Sequence, residues 1–167
     1  TDYYSLETSF NMDFNGDGSV GNANPYTDIS TVGTTDLIKD SEGKIYARDA
    51  NNNVNKITYY GAHYGQNTWA GWSFVAAEKI NNVNTVILQK DSDKAIEVWY
   101  GDKNWNVNNA RFYQNNSNKY YSLETSFNID FNGDGTIGNA NPYTNINTDG
   151  SIDLVKDSDG KVYARDA

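Results

Sequence analysis

Asp13, Asn15 and Asp17 stand at alternate positions in Asp13-Phe14-Asn15-Gly16-Asp17-Gly18-Ser19, and Asp130, Asn132 and Asp134 repeat the arrangement in Asp130-Phe131-Asn132-Gly133-Asp134-Gly135-Thr136. Three oxygen-bearing side chains at that spacing can converge on one centre. A hard divalent cation such as calcium needs six to eight such oxygens. Gly18 or Gly135, at loop position 6, permits the sharp turn, and Ser19 or Thr136 can then offer its backbone carbonyl. This is the first half of an EF-hand-like DxNxDG loop. The second half departs from the pattern. Asn24 and Asn141 stand where a bidentate Glu is usual, and Gly21 and Gly138 can contribute only through water or backbone. With two carboxylates per loop, the expected affinity is weak, on the order of 10⁻⁴–10⁻³ M, unless Glu7, Asp28, Asp36 or their counterparts complete the shell. A Gly-rich turn that binds nothing is the plainer alternative, since Asn-Gly and Asp-Gly are ordinary turn formers. Duplication of the whole loop favours two Ca²⁺ sites.

Aromatic side chains form the second chemical signal. Trp69, Trp72, Trp99 and Trp105 cluster in the middle third with Tyr59, Tyr60, Tyr64 and Tyr100. Flat aromatic faces could stack sugars, with Trp69, Trp72, Trp105 and Tyr64 the candidate platform. Filling the core of an aliphatic-poor chain is the competing role, which suits Trp99 among its apolar neighbours. Trp105, inside Asn104-Trp105-Asn106, is expected to be exposed. His63 is the single histidine and there is no cysteine, so a thiolate or multi-histidine metal site is not expected. No nucleophile elbow accompanies His63, and no carboxylate pair stands out among 22 acidic residues, so no catalytic residue is assigned and no enzyme is expected.

The elements that must position these groups are repeated. Residues 1–50 and 118–167 align without a gap at an offset of 117, with 37 of 50 positions identical. Tyr3, Leu6 and Phe10 fall at i, i+3 and i+7, which predicts a helix over Tyr3–Met12 and again over Tyr120–Ile129. Polar Lys-Asp-Ser turns between apolar arms predict hairpins at Leu37–Tyr46, Leu88–Trp99 and Leu154–Tyr163. Further strands are expected at Lys56–Tyr60, Thr85–Gln89, Ile96–Tyr100 and Ala110–Tyr113. A short helix is expected at Trp72–Ile80, with Glu78 the equivalent of Glu7. The reading is mainly β (β+α), with an antiparallel sheet and tandem repeats of short helix, calcium loop and β-hairpin. Residues 1–57 form a half-repeat with a calcium loop, 58–117 a degenerate tryptophan-rich half-repeat, and 118–167 a second copy of the first. Because the chain opens inside a repeat, it reads as a piece of a longer array.

The net charge of −9 argues against nucleic acid and anionic membranes as partners and suits cations. No apolar run is long enough to span a bilayer.

Two segments together carry a family resemblance. One is Leu6-Glu7-Thr8-Ser9-Phe10-Asn11-Met12-Asp13-Phe14-Asn15-Gly16-Asp17-Gly18-Ser19-Val20-Gly21, repeated at 123–138. The other is Trp72-Ser73-Phe74-Val75-Ala76-Ala77-Glu78-Lys79-Ile80-Asn81-Asn82-Val83-Asn84, followed by Val98-Trp99 and Asn104-Trp105-Asn106. The chain resembles the tryptophan-rich repeat domain of cyanobacterial secreted hemolysin-like proteins over nearly its whole length. Gln89 departs from it, standing where an aromatic is expected. The resemblance implies an extracellular or cell-surface setting, often beside other calcium-binding repeats, and assigns no activity to particular residues. The expected function is a calcium-binding structural module whose metal stiffens an array, with neighbouring repeats of the same protein as partners. The alternative is a carbohydrate-binding or adhesion module.

Overall fold

A computed structural model describes residues 3–16, 18–22, 24–139, 141–148, 150–157 and 160–166. Two short helices, α1 (Tyr3–Phe10) and α2 (Asn118–Phe127), flank a β-rich body. The Ser117 side chain caps α2 by accepting the Tyr120 amide. Asn128 ends the helix in the left-handed conformation, as Asn11 does after α1.

The first sheet is a four-stranded meander of β1 (Thr27–Ser30), β2 (Thr35–Lys39), β3 (Ile45–Asp49) and β4 (Val54–Lys56). The second has six strands: β5 (Thr58–Tyr59), β6 (Ala62–His63), β7 (Trp72–Ile80), β8 (Val83–Lys90), β9 (Ile96–Gly101) and β10 (Asn106–Tyr113). Their order is β6-β5-β10-β9-β8-β7. The sheet is mixed, since β5 runs parallel to β10, where an antiparallel sheet was expected. A third sheet joins β11 (Thr144–Asn147), β12 (Ile152–Lys156) and β13 (Val162–Asp166).

Turn chemistry explains the meanders. Asp40 Oδ1 accepts the amides of Glu42 and Lys44, and its Oδ2 accepts the Tyr46 hydroxyl. Asp157 repeats the last two contacts with Lys161 and Tyr163. Asp49 gathers the amides of Asn51 and Asn53, and Asp102 gathers those of Asn104 and Asn106. Residues Asn52 and Trp105 take positive φ at the same point of these two turns.

Strand alternation builds two cores on the six-stranded sheet. Val86, Leu88 and Trp99 face the first meander, where they meet Leu37, Ile45 and Ala47. Ile87, Ile96 and Val98 face the other way, towards Tyr120, Leu123 and Phe127 of α2. The central sheet is therefore covered on both sides, by a sheet on one and a helix on the other.

Residues 72–80 form a strand, not the expected helix, and Glu78 lies on that strand rather than in a helical position like that of Glu7. A β-bulge explains the misreading. The register slips between Phe74 and Ala76, so Phe74 and Ala77 point into the same core although three residues apart. That spacing imitates a helix face. Tandem copies of helix, loop and hairpin therefore do not run through the middle third, which has no helix.

Candidate functional site

Each acidic loop is tied to its helix by a buried glutamate. Glu124 Oε1 accepts the amides of Phe131 (3.0 Å) and Asn132 (3.2 Å), and Oε2 accepts that of Gly138 (3.0 Å). In the first copy Glu7 binds Phe14, Asn15 and Gly21 at 3.0–3.1 Å. Both carboxylates are fully buried. A residue raised as a possible extra metal ligand thus serves as the loop's internal anchor. Burial pushes the Glu124 carboxyl above its ordinary value. The amides of Asn132, Gly138 and Phe131 oppose that push, and the Asp130 charge adds to it.

The first aspartate folds the loop onto itself. Asp13 Oδ1 accepts the Gly16 amide at 2.7 Å and Oδ2 the Gly18 amide at 2.8 Å. Asp130 repeats this with Gly133 (2.7 Å) and Gly135 (2.8 Å), and adds Asp134 at 3.2 Å. Asn132 Oδ1 accepts the Asp134 amide, while Asn132 Nδ2 donates to Asp134 Oδ2, both at 2.9 Å. Asp134 Oδ1 in turn accepts the Thr136 amide at 2.8 Å. The structure therefore brings Asp130, Asn132, Asp134 and Thr136 into one turn. Asp17 lies outside the described residues. Ser19 occupies the place of Thr136 in the first loop.

Gly21 and Gly138 close the loops against the helices. Both have positive φ, and a Cβ at either would lie 2.8 Å from Thr8 or Thr125 Oγ1. The asparagines at loop position 12 belong to turns of their own. Asn24 donates its amide to Asn22 Oδ1 and accepts from Tyr26 N, while Asn141 donates its amide to Asn139 Oδ1.

By donor type the residues fit a weak hard-cation site: oxygen dominates the set, and Asp130 Oδ2 and Asp134 Oδ1, which each accept one amide, keep lone-pair capacity, whereas Asp130 Oδ1 already accepts two. Among the described residues no three Asp, Glu, His or Cys side chains form a metal-holding group. The expected set has only two carboxylates per loop. Asp28 and Asp36 are committed elsewhere, since both pair with Arg48 at 2.8 and 2.7 Å.

The aromatic cluster surrounds a half-open cavity of about 260 Å³ lined by Tyr59, Trp69, Trp72, Leu88, Glu97 and Trp99. Tyr59 stacks on Trp99 at 4.6 Å between centroids, and Trp69 meets Trp99 edge-on at 5.7 Å. The Trp99 indole donates to Glu97 Oε1 at 2.9 Å. Tyr64 packs against Trp69 and Trp99 but does not line this cavity. Trp69 and Trp72 are half-buried at its rim. Trp105 is buried in the core with Val107, not exposed as expected. It packs into the core shared by the first meander and the six-stranded sheet, although polar neighbours flank it in sequence.

Glu97 was missed as a lining residue. Its place two residues before Trp99 on a strand was the available signal, since alternate residues share a face. His63 is structural. Its Nε2 donates to the Ile45 carbonyl at 2.7 Å and its ring meets Tyr46 edge-on. Among the described residues no helix is long and apolar enough to cross a membrane.

A family model described as the tryptophan-rich Synechocystis species C-terminal domain matches residues 35–138, more than half of the chain. The match begins at β2 and ends in the second acidic loop, so it takes in β2–β4 of the first meander, the six-stranded sheet and α2. No curated protein and no solved structure matches.

Proposed function

Because the chain belongs to the family of the tryptophan-rich Synechocystis species C-terminal domain, we propose that it is a structural repeat module of a secreted or cell-surface protein, in which calcium at each acidic loop stiffens the joint between helix and hairpin. One observation carries this reading. The two loops form the same glutamate-anchored, aspartate-folded turn although one helix is packed on a sheet and the other is not. Their shape is thus set locally, and what is described of it, the glutamate anchor and the first aspartate's clasp, is the same in both copies. Asp130, Asn132, Asp134 and the Thr136 carbonyl would hold the ion in the second copy. Asp13, Asn15, Asp17 and the Ser19 carbonyl would do so in the first. Bound calcium would cancel the repulsion between the loop carboxylates and stabilise the folded state by mass action.

The test is thermal melting in millimolar calcium and in chelator. A rise equivalent to about 2.7 kcal/mol per site is expected at a roughly hundredfold excess over Kd. Asp130→Ala should remove the contribution of the second site. Identical melting in calcium and chelator would sink the proposal.

A second reading rests on the cavity framed by Trp69, Trp72, Trp99 and Glu97, which offers flat apolar faces beside a carboxylate. Such a site suits a sugar ring. Titrating glycans while following tryptophan fluorescence tests it, and Trp72→Ala should abolish any response. Trp105→Ala would instead damage the core.

A further inference from the structure

Nine consecutive residues are identical in Tyr3–Asn11 and Tyr120–Asn128, yet the two helices have different surroundings. Phe127 is 3% exposed and Phe10 is 65% exposed; Tyr120 is 0% exposed and Tyr3 is 61% exposed. Leu6 and Phe14 are also exposed where Leu123 and Phe131 are buried. What covers the second set is on the page: the face of the six-stranded sheet made by Ala76, Ile87, Ile96 and Val98. Polar contacts fix that docking. Tyr120 Oη donates to the Lys94 carbonyl, and the Gln89 amide donates to the Phe131 carbonyl.

We propose that the exposed face of α1 is a docking surface for the same face of another six-stranded sheet, supplied by a preceding repeat unit in the same polypeptide. The sheet within this chain cannot serve, because α2 holds one face and the first meander the other. A separate second molecule is a poor source. Its sheet carries its own identical helix, joined to β10 by only residues 114–117, and that tether gives it a high effective concentration. A unit joined to α1 through the same connection has no competitor. The structural unit then runs from hairpin through sheet to helix and acidic loop, which is the span of the family match. In this view α1 and its loop close the unit before, and β11–β13 open the unit after. Leu154, at 41% exposed against 0% for Leu37, is the matching uncovered residue at that end. The inference rests on the repeat-module part of the proposed function and not on calcium.

The experiment compares the 167-residue chain with one carrying an extra copy of residues 35–117 ahead of residue 1. Amide hydrogen exchange is read over Leu6–Phe10 and Leu123–Phe127, in calcium and in chelator. In the 167-residue chain α1 should exchange about a hundredfold faster than α2, and in the longer chain the two should agree within about threefold. Phe10→Asp should leave the melting temperature of the shorter chain unchanged and lower that of the longer one. Fast exchange of α1 in the longer chain would overturn the proposal, whether or not the added sheet is protected, because α1 would have failed to close the unit. Protection of α1 in chelator, with melting unaffected by calcium, would support docking and reject the metal. Concentration-dependent dimers of the 167-residue chain with α1 protected would overturn the single-polypeptide source.

Discussion

Glu78 and Glu124 are both buried carboxylates, but their surroundings drive them in opposite directions. Burial would raise Glu78, yet the hydroxyl and amide of Thr34, with the amides of Lys79 and Thr35, outweigh it and hold the carboxyl below its ordinary 4.5. A carboxyl lowered in the folded state binds its proton first in the unfolded chain. Its stabilisation is complete above about 4.5 and is lost as pH falls through the folded value. Melting temperature should therefore decline on acidification below about pH 4.5, and Glu78→Gln should flatten that decline. Glu124 has the reverse sign. Its raised carboxyl favours the folded state below 4.5, and that contribution is lost as pH rises through the folded value. A cation beside Asp130 would oppose the aspartate's field, so the Glu124 midpoint should fall when calcium is added. Carboxyl-carbon NMR titration with and without calcium reads this directly, and an unmoved midpoint would count against metal at the loop. Gly33 completes the residue scale. Its φ is +96° and a Cβ there would collide with Glu78 Oε2, whereas Gly150, its twin, has open space. Gly33→Ala should cost about 3 kcal/mol and Gly150→Ala only about 1 kcal/mol, from backbone strain alone. Chemical denaturation of the two variants decides it.

The hairpins make the same comparison at the scale of an element. The β2–β3 and β12–β13 pairs share register, turn aspartate and tyrosine clasp. Leu37 lies in the core between two sheets, while Leu154 is exposed. Leu37→Ala should cost about 2–5 kcal/mol. The same change at Leu154 should stay within about 0.5 kcal/mol. Equal losses in denaturant melts would mean that the third sheet is covered in solution. The hairpins and the two helices before the acidic loops were legible in the sequence because their signals are local: a Lys-Asp-Ser turn and apolar residues at helical spacing. The strand at 72–80 was not legible. A bulge put Phe74 and Ala77 on one face, and only pairing with β8 reveals the inserted residue. Trp105 was misread for a related reason. Its aspartate-led turn was readable, but the core that receives the ring, built with residues as distant in sequence as Leu37 and Ile45, was not.

Across the whole molecule, the central sheet is the object that every other layer needs. It has two apolar faces, and the repeated sequence supplies one cover for each: a meander and a helix. The chain contains two helices and two hairpin-bearing sheets but one six-stranded sheet among the described residues. One helix and the Leu154 face of one small sheet are therefore left uncovered. Calcium at the loops would act at the helix–hairpin joints, so its removal should loosen connections between units more than the units themselves. In practice, chelation should raise hydrogen exchange at residues 130–138 before it affects β8. The sequence by itself determined the acidic loops, the aspartate-led turns and the two helices that precede the loops, because each depends on hydrogen bonds that close within some fifteen residues. Tertiary structure alone decided which copy is buried. Tyr3–Asn11 and Tyr120–Asn128 are the same nine residues, and they differ only in whether a sheet lies against them. Burial is a property of the covering surface, and no local pattern can encode a surface contributed from a distance.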